Sequence, residues 1–355
     1  MADKAHIRKD IIGSTISRDS LKELTRIDWS GKLQKSQCSG EKTQKWNNSI
    51  FWCNLSMGET SSSEQTLKRL QLPVDRFTFD FLREISEEDD KNIFGSPIGI
   101  IVLYTILLEG ARGETADQIM EVFHLKDQFR NAKDARIAIK ELIKRLNKGD
   151  EDLTIKMANK ALINENIELK QQFQKIIHKS YSASIEQGDL TKKAIVKKLN
   201  KWVSQETNNL ITQMFTEPFG GDTVLILLDV LYFGGLWEER NFEPCKKKQY
   251  FHNLDGTKSR IVRLPYKKGA SMYIFMPLEV NGIQAFIDNL DHQKMQKYMY
   301  MRTTPWSHRF SPTRMPMFRL EDTHNLSEIL PAMGLSLPFS HSADLTGITD
   351  DSLNV

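Results

Sequence analysis

The sequence predicts an α+β protein with its helices concentrated in the first half of the chain. Two observations carry this prediction. Residues 224–233 contain seven Val, Leu or Ile side chains among ten, which is typical of a strand buried on both faces. Apolar residues recur at helical spacing over residues 74–108 and again over residues 169–210.

The first helices have clear start and stop signals. Residues 74–85 carry apolar side chains on one helical face. Ser96 is predicted to cap the next helix, and Pro97 suits its first turn. The body of that helix, residues 98–108, is apolar all round, so we expect it to run through the core until Gly110 ends it.

Later elements alternate between helix and strand patterns. Thr115 and Gln118 have the spacing of a capping box for a third helix. The remaining predicted elements are a strand at 153–157, helices at 169–181 and 195–210, the strand at 224–233, a strand at 314–320 and a short helix at 325–333.

One charge, Asp229, interrupts the buried strand at 224–233. A buried carboxylate must find hydrogen-bond partners or a raised pKa, and burial without partners typically costs about 2–7 kcal/mol. The run then passes through Gly234 and Gly235 to Trp237. We therefore expect Asp229 to be a weak point of the fold.

Composition bounds the class of protein. The chain has 355 residues, 39% of them hydrophobic, and a mean hydropathy of -0.45, which indicates a globular protein with a sizeable core. Its longest uncharged apolar run, residues 98–108, is shorter than the ~20 residues that span a bilayer. Residues 1–20 show no apolar signal-peptide region, so the sequence as written predicts a cytoplasmic chain. Three cysteines cannot form a disulfide framework.

Charge separates residues 1–73 from the rest. They carry 12 Lys+Arg and 8 Asp+Glu, which gives a net charge of +4. The whole chain has a net charge of +3, so residues 74–355 have a net charge of -1. The body is therefore not expected to bind nucleic acid. Residues 1–73 are predicted to be a disordered extension. Their four large aromatic residues either dock on a surface or reflect a doubtful gene model, and the second reading is favoured: Trp29, Trp46, Phe51 and Trp52.

A search for catalytic chemistry gives no motif. The sequence has no G-x-S-x-G elbow and no phosphate-binding loop. Its eight histidines are scattered and lie at no metal-binding spacing. Sequence order alone does not exclude a Ser/His/Asp triad, since its members need not be neighbours in the chain. The sequence predicts a protein that is not an enzyme and needs no cofactor or metal.

A series of basic residues follows the third predicted helix. Lys133, Arg136, Lys140 and Lys144 are candidates for a face that binds a sulfated polysaccharide. Acidic residues such as Glu141 interleave the series, so a solvated face is the favoured interpretation.

Six segments, in order along the chain, resemble those of the serpin family of protease inhibitors. They are NIFGSPIGI at 92–100, LLEGARGETADQIMEVFHL at 107–125, ANKALI at 158–163, LNKWVSQETNNLI at 199–211, LPYKKGASMYIFMP at 264–277 and MPMFRLEDTHNLSEILPAMGLSLPFSHSADLTGI at 315–348. The resemblance implies a serpin-like α+β domain over residues 74–355, with helices packed around a large, mainly antiparallel sheet.

The resemblance also implies a mechanism. Inhibitory serpins offer an exposed loop to a serine or cysteine protease, and the cleaved loop then enters the main sheet as a new strand. No catalytic residue of the inhibitor takes part, and many family members are extracellular. The alternative is a non-inhibitory serpin-like protein that binds or carries a ligand.

The sequence departs from the family where the sheet has to part. Ser96 and Pro97 match the Ser-Pro-x-Ser helix start, but Gly99 replaces the second Ser. Asp229 replaces an Asn, which exchanges an amide for a carboxylate. Trp237 matches the aromatic residue at the top of the main sheet.

Two further departures concern missing segments. Strand sequence that the family usually has between a segment like FHNLDGTKSRIV and the LPY motif is absent, so that Val262 and Arg263 are joined directly. The sequence stops at Val355, before the bait loop and the last core strands of the family. A truncated isoform of this kind is expected to trap no protease. It is also expected to self-associate, because Phe318 and Leu320 would lack packing partners.

Overall fold

The computed structural model describes most of the chain and gives it two sheets with helices packed around them. The described residues are 10–16, 50–55, 62–86, 96–149, 151–209, 211–221, 223–235, 251–252, 258–266, 270–277, 279, 282–295 and 326–350. The predictions for Trp237, for the strand at 314–320 and for the packing of Phe318 and Leu320 fall outside these ranges.

Eight strands and eight α-helices are numbered below, and residues 292–295 are also helical. The strands are β1 (Asp10–Ile16), β2 (Ile50–Leu55), β3 (Leu153–Asn164), β4 (Ser184–Gly188), β5 (Leu225–Gly235), β6 (Phe251–His252), β7 (Lys258–Pro265) and β8 (Ala270–Pro277). The helices are α1 (Ser62–Ser86), α2 (Pro97–Gly110), α3 (Gly113–Val122), α4 (Ala132–Leu146), α5 (Gln171–Tyr181), α6 (Lys193–Glu206), α7 (Gly282–Asp288) and α8 (Leu326–Ala332).

The main sheet has the strand order β1-β5-β3-β4. β5 pairs antiparallel with β3 on one side and with β1 on the other, and β4 pairs parallel with β3. A second sheet has the order β2-β8-β7-β6, with every neighbouring pair antiparallel. This is the predicted class, helices around a mainly antiparallel sheet.

β5 is buried on both faces, as its apolar run predicts. Leu225 and Leu227 belong to the core that contains α2, α4 and α5, while Ile226, Leu228 and Val230 pack with α6 on the other face. This alternation follows from the two-residue period of a strand. The strand continues through Gly234 and Gly235. A Cβ atom at Gly235 would lie 2.7 Å from Cδ1 of Tyr266, so only glycine lets that ring approach the strand.

α2 begins and packs as predicted. The Ser96 side chain accepts a hydrogen bond from the backbone N–H of Gly99 at 3.4 Å, and Pro97 occupies the first turn. Every residue from Gly99 to Gly110 is buried. A helix that is apolar all round needs neighbours on every side, and α2 contacts α1, α4, α5 and β5.

The predicted capping box of α3 is wrong. α3 begins at Gly113, so Thr115 and Gln118 already lie inside it. The Thr115 hydroxyl accepts from the backbone N–H of Asp344 at 2.9 Å, and Gln118 Oε1 accepts from those of Ser336 and Leu337. Both side chains bind the distant segment 336–344, since local spacing alone cannot show which free N–H group lies nearby.

Regular structure lies on the N-terminal side of the predicted boundary at 73/74 in three places, where the sequence predicted disorder. α1 begins at Ser62 and runs across the boundary through Pro73 to Ser86. Leu67 and Leu70 are buried in the main core. Residues 10–16 and 50–55 form edge strands of the two sheets. The extension therefore contributes to the body, because its apolar residues find partners that were not apparent from its composition.

The direct junction of Val262 and Arg263 lies inside a single strand. β7 runs without interruption from Lys258 to Pro265 and pairs with β8 from Ser259↔Pro277 to Pro265↔Ser271. The shorter sequence at this point therefore leaves the pairing of β7 with β8 uninterrupted.

Candidate functional site

The candidate site is the place where the main sheet would have to part, beneath the start of α2. It was predicted to involve Ser96, Pro97, Gly99 and Asp229. In the structure α2 packs across β5, and alternation along β5 puts Asp229 on the same face as Leu225 and Leu227, which pack with α2. The structure therefore places the helix carrying the first three residues against the strand face carrying the fourth.

Asp229 is fully buried, with a relative exposure of 0%. On β3 it stands directly opposite Asn159, which is itself 2% exposed. On the other side its register partner in β1 is Ile12. Directly opposed residues of an antiparallel pair have Cβ atoms roughly 4.5–5.5 Å apart. The carboxylate of Asp229 and the amide of Asn159 are therefore close neighbours in the core.

Asn159 is a site residue that sequence reasoning missed. Its Nδ2 donates to the backbone carbonyl of Tyr181 at 3.3 Å. Its Oδ1 is buried and accepts no hydrogen bond from the residues that the structure describes. A polar residue between Ala158 and Lys160 looks ordinary in a strand, and only the register with β5 shows that it faces Asp229.

A second buried polar cluster lies under α2, around Glu109. The Tyr181 hydroxyl donates to Glu109 Oε1 at 2.8 Å, and Arg136 Nη1 donates to Oε2 at 3.2 Å. Burial raises the pKa of Glu109 above its ordinary value, although Tyr181, Arg136 and Arg112 each act to lower it. Burial, together with the neighbouring carboxylate, also raises the pKa of the Tyr181 phenol well above its usual value. The cluster joins α2, α4 and α5.

The predicted basic face of α4 loses one member to this cluster. The Arg136 side chain is only 17% exposed, because it reaches inward to Glu109. The other three basic side chains are exposed, and so is the neighbouring Ile137: Lys133, Lys140 and Lys144. Nζ of Lys144 lies 3.7 Å from Oε2 of Glu141. A three-lysine face with an apolar centre and an adjacent carboxylate remains best interpreted as a solvated surface.

The opposite face of the main sheet carries a buried lysine. Lys160 is 9% exposed; its Nζ lies 3.1 Å from Glu186 Oε2 and 5.4 Å from the ring centroid of Trp202. Burial acts to raise the pKa of Glu186, but hydrogen bonds from Lys198 and Lys160 hold it below its ordinary value. These contacts fasten α6 to β3 and β4.

The described residues contain neither a metal-binding cluster nor a membrane-spanning helix. No group of three or more His, Cys, Asp or Glu side chains in these ranges could hold a metal ion. Among the helices described, none has both the length and the apolar composition needed to cross a membrane.

Both halves of the chain are similar to known proteins. The family model for serpin (serine protease inhibitor) matches residues 73–261 and 245–355. Human Serpin B4 is 28% identical over 311 residues, covering 77% of this chain and 79% of that protein. Iripin-2 of Ixodes ricinus is 27% identical, covering 79% and 76%.

Solved structures share the fold at lower identity. A crystal structure of cleaved kallistatin complexed with heparin gives a TM-score of 0.64 at 22% identity and covers 81% of this chain and 90% of that one. Ovalbumin from emu (Dromaius novaehollandiae) gives a TM-score of 0.63 at 20% identity and covers 80% and 82%. Because the family model matches most of the chain on both sides of the junction at Val262, this chain belongs to the serpin family.

Proposed function

We propose that this chain is the scaffold of a serpin-type inhibitor of serine or cysteine endopeptidases. The observation that carries the proposal is the packing of α2 over the face of β5 that bears Asp229. That strand is buried on both faces, and the proposed opening of the main sheet lies beside it. Membership of a family of protease inhibitors, with human Serpin B4 among its relatives, supports this function.

The proposed roles are mechanical. Ser96 and Pro97 fix the start of α2, and the proposed role of Gly99 and Asp229, both buried, is to sit where helix and sheet separate when the sheet opens. The free energy for trapping would come from adding a strand to the sheet, with every new backbone N–H and C=O group paired. No residue of this chain is proposed to act on a substrate chemically.

The alternative is a serpin-like protein that binds or carries a ligand without inhibiting a protease. It shares the fold but needs no opening of the sheet. The two functions differ in a simple way, because only an inhibitor ends the reaction covalently joined to the protease.

The test uses two proteins. One is residues 1–355, and the other is the same chain extended by the part of human Serpin B4 that lies C-terminal to its match with this sequence. Each is incubated with trypsin-like, chymotrypsin-like and cathepsin-type proteases and run on a denaturing gel. We expect residues 1–355 to form no denaturant-resistant complex, since the family's bait loop follows the ADLTGI segment at 343–348.

The extended chain is expected to form a 1:1 covalent complex with at least one protease of the panel. An extended chain that unfolds cooperatively, and so is folded, but is cleaved without complex formation would favour the binding or carrier function. A covalent complex with residues 1–355 alone would contradict the prediction that they hold no bait.

A further inference from the structure

β1 and β2, both N-terminal to α1, supply one edge strand to each of the two sheets as described. β1 pairs with β5 over seven residues, from Asp10↔Leu231 to Ile16↔Leu225. β2 pairs with β8 over six residues, from Ile50↔Phe275 to Leu55↔Ala270. Among the described strands, β1 and β2 each stand at an edge of their sheet. One continuous stretch of sequence therefore covers an edge in both.

The two covered strands are the ones that most need covering. β8 is buried on both faces: Met272 and Ile274 pack in the main core, while Tyr273 and Phe275 pack with Phe79 and Phe286. β5 is likewise buried on both faces. A strand with two apolar faces and an open edge exposes backbone donors and acceptors in an apolar setting, which makes it a site for pairing with other chains.

The donor segments have the composition of strands. β2 reads IFWCNL, which places three strong strand formers at its start. These include two of the aromatic residues that a disordered extension leaves unexplained, Phe51 and Trp52. In the observed register Trp52 is the Cα partner of Tyr273. β1 reads DIIGSTI and, with Gly13 at its centre, is the weaker strand former.

We propose that β1 and β2 are donor strands that close both sheets within one molecule. The edges of β5 and β8 are then strand-accepting surfaces, and the occupant of each is the chain's own N-terminal segment. One consequence concerns the main sheet. Any other extended segment that is to pair with β5 on the side away from β3 has to displace β1 first. The pairing at β5, the weaker of the two, is the one suited to such exchange.

The register allows a direct test with one added cysteine. Cys53 of β2 stands opposite Met272 of β8, and directly opposed Cα atoms in an antiparallel pair lie about 4.5–5.5 Å apart, within disulfide range. The protein is the full chain with Cys38→Ser, Cys245→Ser and Met272→Cys. The control carries Ile274→Cys in place of Met272→Cys. Position 274 pairs with Phe51, so its diagonal distance to Cys53 is about 7–8 Å, too long for a disulfide without backbone movement.

Mild oxidation is followed on a non-reducing gel and by mass spectrometry. We expect the matched pair to form an intramolecular disulfide at least ten times faster than the control. Equal rates in the two proteins, or no disulfide in either, would overturn the proposal. Disulfide-linked dimers in place of the intramolecular product would also overturn it, because the donor strand would then serve a second copy.

A second pair keeps the test valid if Met272→Cys unfolds the protein. Asp10→Cys with Leu231→Cys joins register partners in the main sheet, in a chain whose native cysteines are replaced by serine. Its control is Ile16→Cys with Leu231→Cys. The cysteine on β5 is the same, but the cysteine on β1 is shifted by six residues, to the position that pairs with Leu225. Only the matched pair is expected to close, and closure of both or of neither would contradict the strand assignment of β1.

Discussion

Replacing Arg136 by Met is expected to lower the free energy of unfolding by about 3–5 kcal/mol at pH 7, which is typical of breaking a buried ion pair. Arg136 donates to Glu109 at 3.2 Å, and the Glu109 side chain is only 5% exposed. Methionine fills similar space but leaves the carboxylate without its cation. Urea unfolding monitored by circular dichroism measures the loss.

The loss should depend on pH in a defined direction. The pKa of Glu109 is raised in the folded protein, chiefly by burial, so the folded state holds its proton to higher pH than the unfolded chain does. Stability from this group is therefore present below the ordinary glutamate pKa and falls as pH rises through the raised value. Arg136→Met raises that pKa further, so its cost should be smaller at pH 4 than at pH 7.

The matched control is the double variant Glu109→Gln with Arg136→Met, which removes both charges. Most of the stability should return, because no buried charge is left uncompensated. A single variant within 1 kcal/mol of the native chain at pH 7, or a loss that is the same at both pH values, would show that the pair is not a stabilising element.

Asp229→Asn is expected to act in the opposite direction and to raise the free energy of unfolding by on the order of 1 kcal/mol. Asp229 is completely buried and stands opposite Asn159. A neutral amide is cheaper to bury than a carboxylate, and its N–H could donate to Asn159 Oδ1, which accepts no hydrogen bond from the described residues.

Thermal and urea unfolding at pH 7 measure the gain. Asp117→Asn is the control, since that side chain is 71% exposed and its replacement should change stability by less than about 0.5 kcal/mol. An unchanged or lower melting temperature for Asp229→Asn, with the control unchanged, would contradict the view of Asp229 as a weak point.

The sequence was informative where one local rule decides the structure. Ser96 and Pro97 begin α2 because capping and proline geometry act within one turn, and the run at 224–233 is buried on both faces because no polar face is available. The order of the serpin-like segments then led to the correct fold class, since each segment alone fits many folds but their sequence along the chain fits few.

The missed features all depend on contacts between distant residues. Arg136 looked like a surface residue because its partner, Glu109, lies 27 positions away on another helix. Thr115 has the spacing of a cap but binds Asp344, and Asn159 gains its importance only from the register of β3 with β5. Residues 10–16 and 50–55 pair with β5 and β8, and the composition of the two segments alone does not show which strands accept them.

Residue-resolved amide hydrogen exchange along β5 tests the central claim, that this strand is an interior strand of the main sheet with partners on both sides. Successive backbone N–H groups of a strand point to alternate sides, so one set of the amides from Leu225 to Leu231 faces β3 and the other faces β1. The structure predicts slow exchange in both sets. Rapid exchange in the set that faces β1, with protection kept in the set that faces β3, would make β5 an edge strand, and rapid exchange in both sets would contradict the serpin-like main sheet itself.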